Sequence, residues 1–143
     1  SVFNFNIIQL PINIFNSSLN YIEFLKDLKK NKKIEIHARS IFLKGLGFEN
    51  NIDNKKFFKL NEKLEILSKI SKNNKISKFK LMLIGIYNRK LINTYIIGVN
   101  SVKEMKEINE LRKIKKKNYN INFKNFVIED DYILDPRKWP KKI

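Results

Sequence analysis

The sequence predicts an α/β protein built on a parallel sheet, and two observations carry that prediction. Short β-rich runs alternate with longer stretches of helical periodicity. Those stretches are long enough to act as crossovers, which parallel pairing requires.

The first run is 6–10 (NIIQL), followed by a turn through Pro11 and 16–18. A helix then sets Tyr21, Ile22, Leu25 and Leu28 on one face. The second run is 34–38 (IEIHA), and a long loop with Gly45 and Gly47 extends from it towards Lys56. Helical spacing returns at Leu60, Leu64, Leu67 and Ile70, stops at Asn73 and Asn74, and restarts as Phe79, Met82, Leu83 and Ile86. A third run, 94–97, leads into Gly98, and a last helix starting at Ser101 and Val102 carries Val102, Met105 and Ile108 inward. From Ile121 onward the tail reads as irregular, with an acidic patch at 129–131 and an aromatic anchor at Trp139. No internal repeat is present.

A parallel sheet wants both faces covered and its edges partnered. Three strands alone do not satisfy that. The expectation is three adjacent parallel strands with helices on the outer side, and no closed barrel.

Composition excludes several chemistries. The chain has no cysteine, which removes disulfides, thiolate catalysis and cysteine-bound metal. One histidine, His37, makes a histidine-based metal site improbable. No apolar run approaches the ~18 residues of a membrane span, and no charged-then-apolar leader opens the sequence. A cytoplasmic setting fits. Serine in first place points to a processed or truncated N-terminus.

The net charge of +16 has two readings. A basic balance of this size suits a polyanion or nucleic-acid partner. Yet Lys, Asn and Ile make up 69 of the 143 residues, the mark of A- and T-rich codons, and they are spread along the whole chain. The densest basic runs, 29–33 and 112–117, each follow an amphipathic helix, where cations complement the negative end of the dipole. Genomic bias with solvated faces is the better account. A basic polyanion-binding module remains the rival, and it would need cations gathered on one face with aromatics between them.

In a β/α architecture, function gathers at the C-terminal ends of the strands. Polar residues fall there three times: Gln9 after the first run, Arg39 and Ser40 after the second, and Gly98, Asn100 and Ser101 after the third. The last is the clearest. A strand, a glycine and a helix start converge backbone N–H groups into an anion site. Ser101 with Glu104 three residues on reads as a capping box, which can equally cap the helix and bind nothing.

Four short motifs in register resemble the aldo/keto reductase family. Gln9-Leu-Pro-Ile-Asn13 is similar to the family's strand-six segment Gln-x-x-Tyr-Asn. The stretch from Ile36 through His-Ala-Arg-Ser-Ile-Phe-Leu-Lys to Gly45 resembles strand seven of a bacterial branch written Arg-Ser-x-Phe-Leu-x-Gly. Ile96-Ile-Gly-Val-Asn-Ser101, with Met105 and Glu107, is similar to strand eight and its cofactor helix, and the ending from Ile133 to Trp139 looks like that branch's tail. The resemblance spans essentially the whole chain, in order.

What it implies is the C-terminal three β/α units of a (β/α)8 TIM barrel, an incomplete barrel over 1–143. The cofactor would be NADP or NAD, and the substrate of the intact enzyme a small carbonyl compound. Gln9 would bond the nicotinamide carboxamide, or else cap its strand. Arg39 stands where the family has an aromatic ring on the nicotinamide; its planar guanidinium can stack as well, or pair with a rim carboxylate. Ser40, Phe42 and Gly45 would belong to the pyrophosphate-side loop, with Phe42 packing rather than touching cofactor. Gly98, Asn100 and Ser101 would cradle the adenosine phosphate. Glu107 matches an acidic adenine-side position, though a solvated helical Glu needs no ligand.

Departures qualify this. Glu104 stands where the family places Gln or Arg, which weakens the grip on a 2′-phosphate. Ile108 replaces a common Asn, and Lys44 a common Gln. The family's catalytic Asp, Tyr, Lys and His belong to the first half of the barrel, which this sequence does not contain. His37, on the strand-seven motif, is not that histidine and reads as a satisfied barrel histidine. The segment by itself is expected to be inactive, either as part of an oxidoreductase or as a relic paired with another barrel fragment.

Overall fold

The computed structural model describes residues 5–16, 18–31, 34–87, 91–113 and 121–141. Three strands form one sheet in the order β1 (Ile7–Pro11), β2 (Glu35–Arg39), β3 (Thr94–Tyr95), all parallel. The first two strands lie one residue later than the sequence spacing placed them. The third stops at Tyr95, two residues short of expectation. Ile96 N–H still donates to Ala38 O at 2.8 Å. Among the described residues the strands do not close into a barrel.

The alternation of β2 separates the two faces of the sheet. Ile36 and Ala38 are buried on the helix-covered face, while Glu35, His37 and Arg39 point the other way. Register extends this open face across the sheet, because Gln9 is level with His37 and His37 with Thr94. His37 is half-buried there, its Nε2 3.4 Å from Glu35 Oε2. Ile7 and Ile96 share that face and are exposed.

Helix α1 (Leu19–Asn31) packs against β2, and α2 (Phe58–Asn74) and α3 (Lys78–Tyr87) pack on each other and complete the core. Ser18 opens α1 by accepting from Tyr21 N–H, and Leu25 and Leu28 are its buried residues. In α2 the i, i+4, i+7 set Leu60, Leu64 and Leu67 is fully buried. The helix stops at Lys75, which turns to φ 52. Ser77 then caps α3, accepting from Lys80 N–H at 3.1 Å. Residues 81–86 of α3 are buried without a break, so this short helix is wrapped on all sides. Each fully buried Leu or Ile there contributes roughly 1.5–3 kcal/mol by transfer from water. Gly85 permits the close packing: a Cβ at that position would meet Ile14 Cγ2 and Phe123 Cδ1 at 2.6 Å.

Three expectations are corrected. The segment after β1, expected only as a turn, also contributes to the core, since Ile12, Ile14 and Phe15 are fully buried. Phe15 O accepts from Ile128 N–H at 2.9 Å, and this bond docks the tail. The tail is ordered by tight turns and a short helix, α5 (Asp131–Leu134), and the Trp139 indole N–H donates to Tyr132 O at 2.9 Å. In α4 (Val102–Lys113), Val102 and Met105 do not point inward: they are 73% and 47% exposed. Ile108 is half-buried as expected, and among the described side chains of the helix Glu104 and Glu107 are half-buried with it. Of the two basic runs, 32–33 and 114–117 lie outside the described residues.

Candidate functional site

Parallel pairing puts the ends of all three strands on one edge, and two depressions open there. The larger, of about 1440 Å³, is a groove between the turns after β1 and β2 and the tail. The smaller, of about 280 Å³, lies between the turn after β2 and the turn after β3.

The turn after β2 forms the wall between them. Ser40 and Lys44 border both depressions. Ser40, Leu43 and Lys44 have φ of 54°, 49° and 52°, and Gly45 has φ 94°. Non-glycine residues rarely hold left-handed backbone, and a run of it persists only where its surroundings impose it. Here the surroundings are visible. Gly45 N–H and Gly47 N–H both donate to Phe42 O. The Phe42 ring packs on Phe79 and Phe48 at centroid distances of 4.8 and 5.1 Å. Phe42 is thus a packing residue as well as a wall. Beyond it, the Lys78 ammonium donates to Phe48 O, Glu49 O and Asn50 Oδ1 at 2.8–3.3 Å. Burial pushes its pKa below the ordinary lysine value.

Arg39 is exposed and borders the larger groove, its Nη1 3.4 Å from Ser40 Oγ. Across that groove stand Glu129, Asp130 and Asp131. Asp130 also pairs with Lys59 at 3.6 Å and caps α5 by accepting from Tyr132 N–H.

Gly98, Asn100 and Glu104 border the smaller cleft from the β3 side. A Cβ on Gly98 would meet nothing within 4 Å. Neither packing nor backbone conformation therefore requires glycine at 98, and the space beside it is open. The capping box has formed. Glu104 N–H donates to Ser101 Oγ at 3.2 Å, and the Glu104 carboxylate accepts from Asn100 N–H at 2.8 Å.

Ser40, Gly98, Asn100 and Glu104 are therefore gathered at one cleft, with Arg39 just across the shared wall. Gln9, Ser101 and Glu107 do not border it. Gln9 is exposed on the open sheet face, level with His37. Glu107 accepts from Ser77 Oγ, tying α4 to the start of α3. Two residues without a sequence-assigned role stand out: Lys44, which borders both depressions, and Asn13, buried at the end of β1. The signal for Asn13 was its place in a polar motif between buried isoleucines. The signal for Lys44 was its place in the strand-seven motif, where it stands for a common Gln.

The larger groove sets Arg39 and Lys44 against Glu129, Asp130 and Asp131, while the smaller cleft combines Lys44 with an open glycine and a helix start capped by Glu104. Neither depression is bordered by histidine, and the Tyr21 hydroxyl in the larger one donates to Pro11 O. Among the described residues, no three or more His, Asp or Glu side chains cluster as a metal site would require. No described helix is long and apolar enough to cross a membrane. No protein-family model, curated protein or solved structure matches the chain.

Proposed function

We propose that this chain is the cofactor-holding part of a nicotinamide-dependent carbonyl reductase of the aldo/keto reductase type. In this reading it supplies three β/α units of an eight-unit barrel, works in the cytoplasm, and needs the units that carry the Asp, Tyr, Lys and His of the catalytic tetrad. The observation that carries the reading is convergence. Ser40 after β2 and Gly98 and Asn100 after β3 border one cleft, at the sheet edge where β/α proteins bind ligands.

The residues fit a dinucleotide. The open space at Gly98 admits a phosphate close to backbone. Lys44 supplies positive charge between the two depressions, and Arg39 offers a planar guanidinium towards the nicotinamide end. Gln9, on the face that would line the barrel, is available to orient the carboxamide. Bound, the nicotinamide would supply hydride for carbonyl reduction; this chain's residues bind and orient it. Ser101 and Glu104 contribute by fixing the start of α4. The clasp between Glu107 and Ser77 holds that helix against α3.

Titration of the chain with NADPH and with NADH, read by cofactor fluorescence, tests this. Binding without turnover of added aldehydes is expected. Gly98→Leu should weaken binding about tenfold or more, by blocking close backbone approach, with an unchanged melting temperature. Absence of binding by either nucleotide, or equal affinity for Gly98→Leu, would overturn the reading.

A further inference from the structure

Asn13 is the one polar residue among the described ones that is buried, at 1% exposure. Its surroundings engage both ends of its amide. The Oδ1 accepts from Phe15 N–H at 3.0 Å and from Asn16 N–H at 2.9 Å. The Nδ2 donates to Ser40 O at 3.4 Å. That last bond is long, but two short bonds on the oxygen fix the amide plane and leave the nitrogen aimed at Ser40.

The position of this bond gives it meaning. The β1–β2 ladder runs on past the strands, with Ile12 N–H donating to Arg39 O at 3.0 Å. The next rung is made by a side chain, Asn13 to Ser40. Ser40 opens the run of left-handed residues, and its carbonyl also accepts from Leu43 N–H at 3.0 Å. The same carbonyl thus anchors the turn from outside and from within.

We propose that Asn13 is a positioning residue. It holds the Ser40 carbonyl and thereby sets the turn that presents Arg39, Ser40 and Lys44 to a ligand. The inference takes its ligand, a nicotinamide dinucleotide, from the reading above, and its geometry from Asn13's own bonds. Asparagine suits the place because one short side chain must accept twice and donate once. Aspartate keeps the acceptor and loses the donor. Serine keeps one acceptor at shorter reach and adds no charge.

The experiment joins amide hydrogen exchange to NADPH titration on the unmodified chain, Asn13→Asp and Asn13→Ser. In the unmodified chain, the Asn13 side-chain protons should exchange more slowly than those of an exposed asparagine. In Asn13→Asp, amides at 41–45 should exchange about tenfold faster while those of Phe15 and Asn16 stay protected. NADPH affinity should fall about fivefold to tenfold, the scale of one lost buried hydrogen bond. Free-rate exchange of the Asn13 side chain, or unchanged exchange at 41–45 in a folded variant, overturns the proposal. Faster exchange with unchanged NADPH affinity also overturns it, leaving Asn13 a structural residue only. If the unmodified chain binds no NADPH, the cofactor reading fails, and the exchange data still decide whether Asn13 holds the turn.

Discussion

Helices α3 and α4 pack side by side, yet α3 is enclosed from Leu81 to Ile86 while none of the described side chains of α4 is fully buried. In α3, six consecutive buried residues from Leu81 to Ile86 leave no solvent stripe. In α4, Ile108 is half-buried while Val102 and Met105 face water. Polar contacts hold α4 to α3: Ser77 Oγ donates to Glu107, and Lys80 lies 3.6 Å from Glu110. Exposed ion pairs add little, and few buried apolar contacts mean low local stability. The smaller cleft therefore has unequal walls. The β2 side is braced by the Phe42–Phe79 stack and the Lys78 clasp. The β3 side rests on α4, whose described side chains reach the rest of the fold through Ile108 and through polar contacts.

The sharpest way to break this comparison is to truncate one apolar side chain in each helix. Leu81→Ala removes fully buried methyls and should cost about 2–5 kcal/mol in denaturant unfolding. Met105→Ala should stay within about 0.5 kcal/mol. A large loss from Met105 would mean that α4 is covered in solution.

A smaller effect is expected from the contact that joins the helices. Ser77→Ala removes both the α3 cap and the Glu107 bond. It should cost about 1–2 kcal/mol, mainly through the cap. Glu107→Gln keeps the cap and should cost less than about 1 kcal/mol. Native-state hydrogen exchange would then show whether α4 amides open locally while α3 amides wait for global unfolding. Equal protection in the two helices would contradict the unequal walls.

Much of this was legible in the sequence, for physical reasons. β-rich runs separated by crossover-length helices announced three parallel strands, and Ser101 with Glu104 announced the cap that closes at α4. What periodicity did not disclose was which face of α4 is covered. Ile108 turns inward as its spacing announced, but Val102 and Met105 do not: Glu107 is drawn to α3 by Ser77, and Glu104 to the helix start by Asn100 N–H. The strand end was misjudged in the same way. Ile96 and Ile97 have strand propensity, but pairing is supplied by a neighbour. The left-handed turn at Ser40 and its link to Asn13 were invisible, because they arise from a contact across 27 residues of sequence.

The smallest expected effect lies in the tail that walls the larger groove. The Asp135 carboxylate accepts from Arg137 Nε at 2.9 Å and Nη2 at 2.8 Å, and also from Arg137 N–H, capping the turn Pro136–Lys138. The guanidinium hydrogen bonds are the main cause that lowers its pKa to about 2 from 3.8. A folded value below the unfolded one means the contribution is complete above 3.8, shrinks as pH falls, and is gone below about 2. The reporter is built in, because Trp139 is the only tryptophan and its indole N–H donates to Tyr132 O and Ile133 O within the same tail. Trp139 fluorescence, followed from about pH 5 to about pH 2 at low salt, should show a small step in that window. Asp135→Asn keeps an oxygen for the Arg137 N–H cap and removes the charge, so its step should vanish while the spectrum at neutral pH stays the same. Adding ~1 M salt should shrink the parent's step, since an exposed pair is screened over a few ångströms at that strength. If parent and variant titrate alike, the acid response belongs to another carboxylate, and Asp135 merely caps its turn.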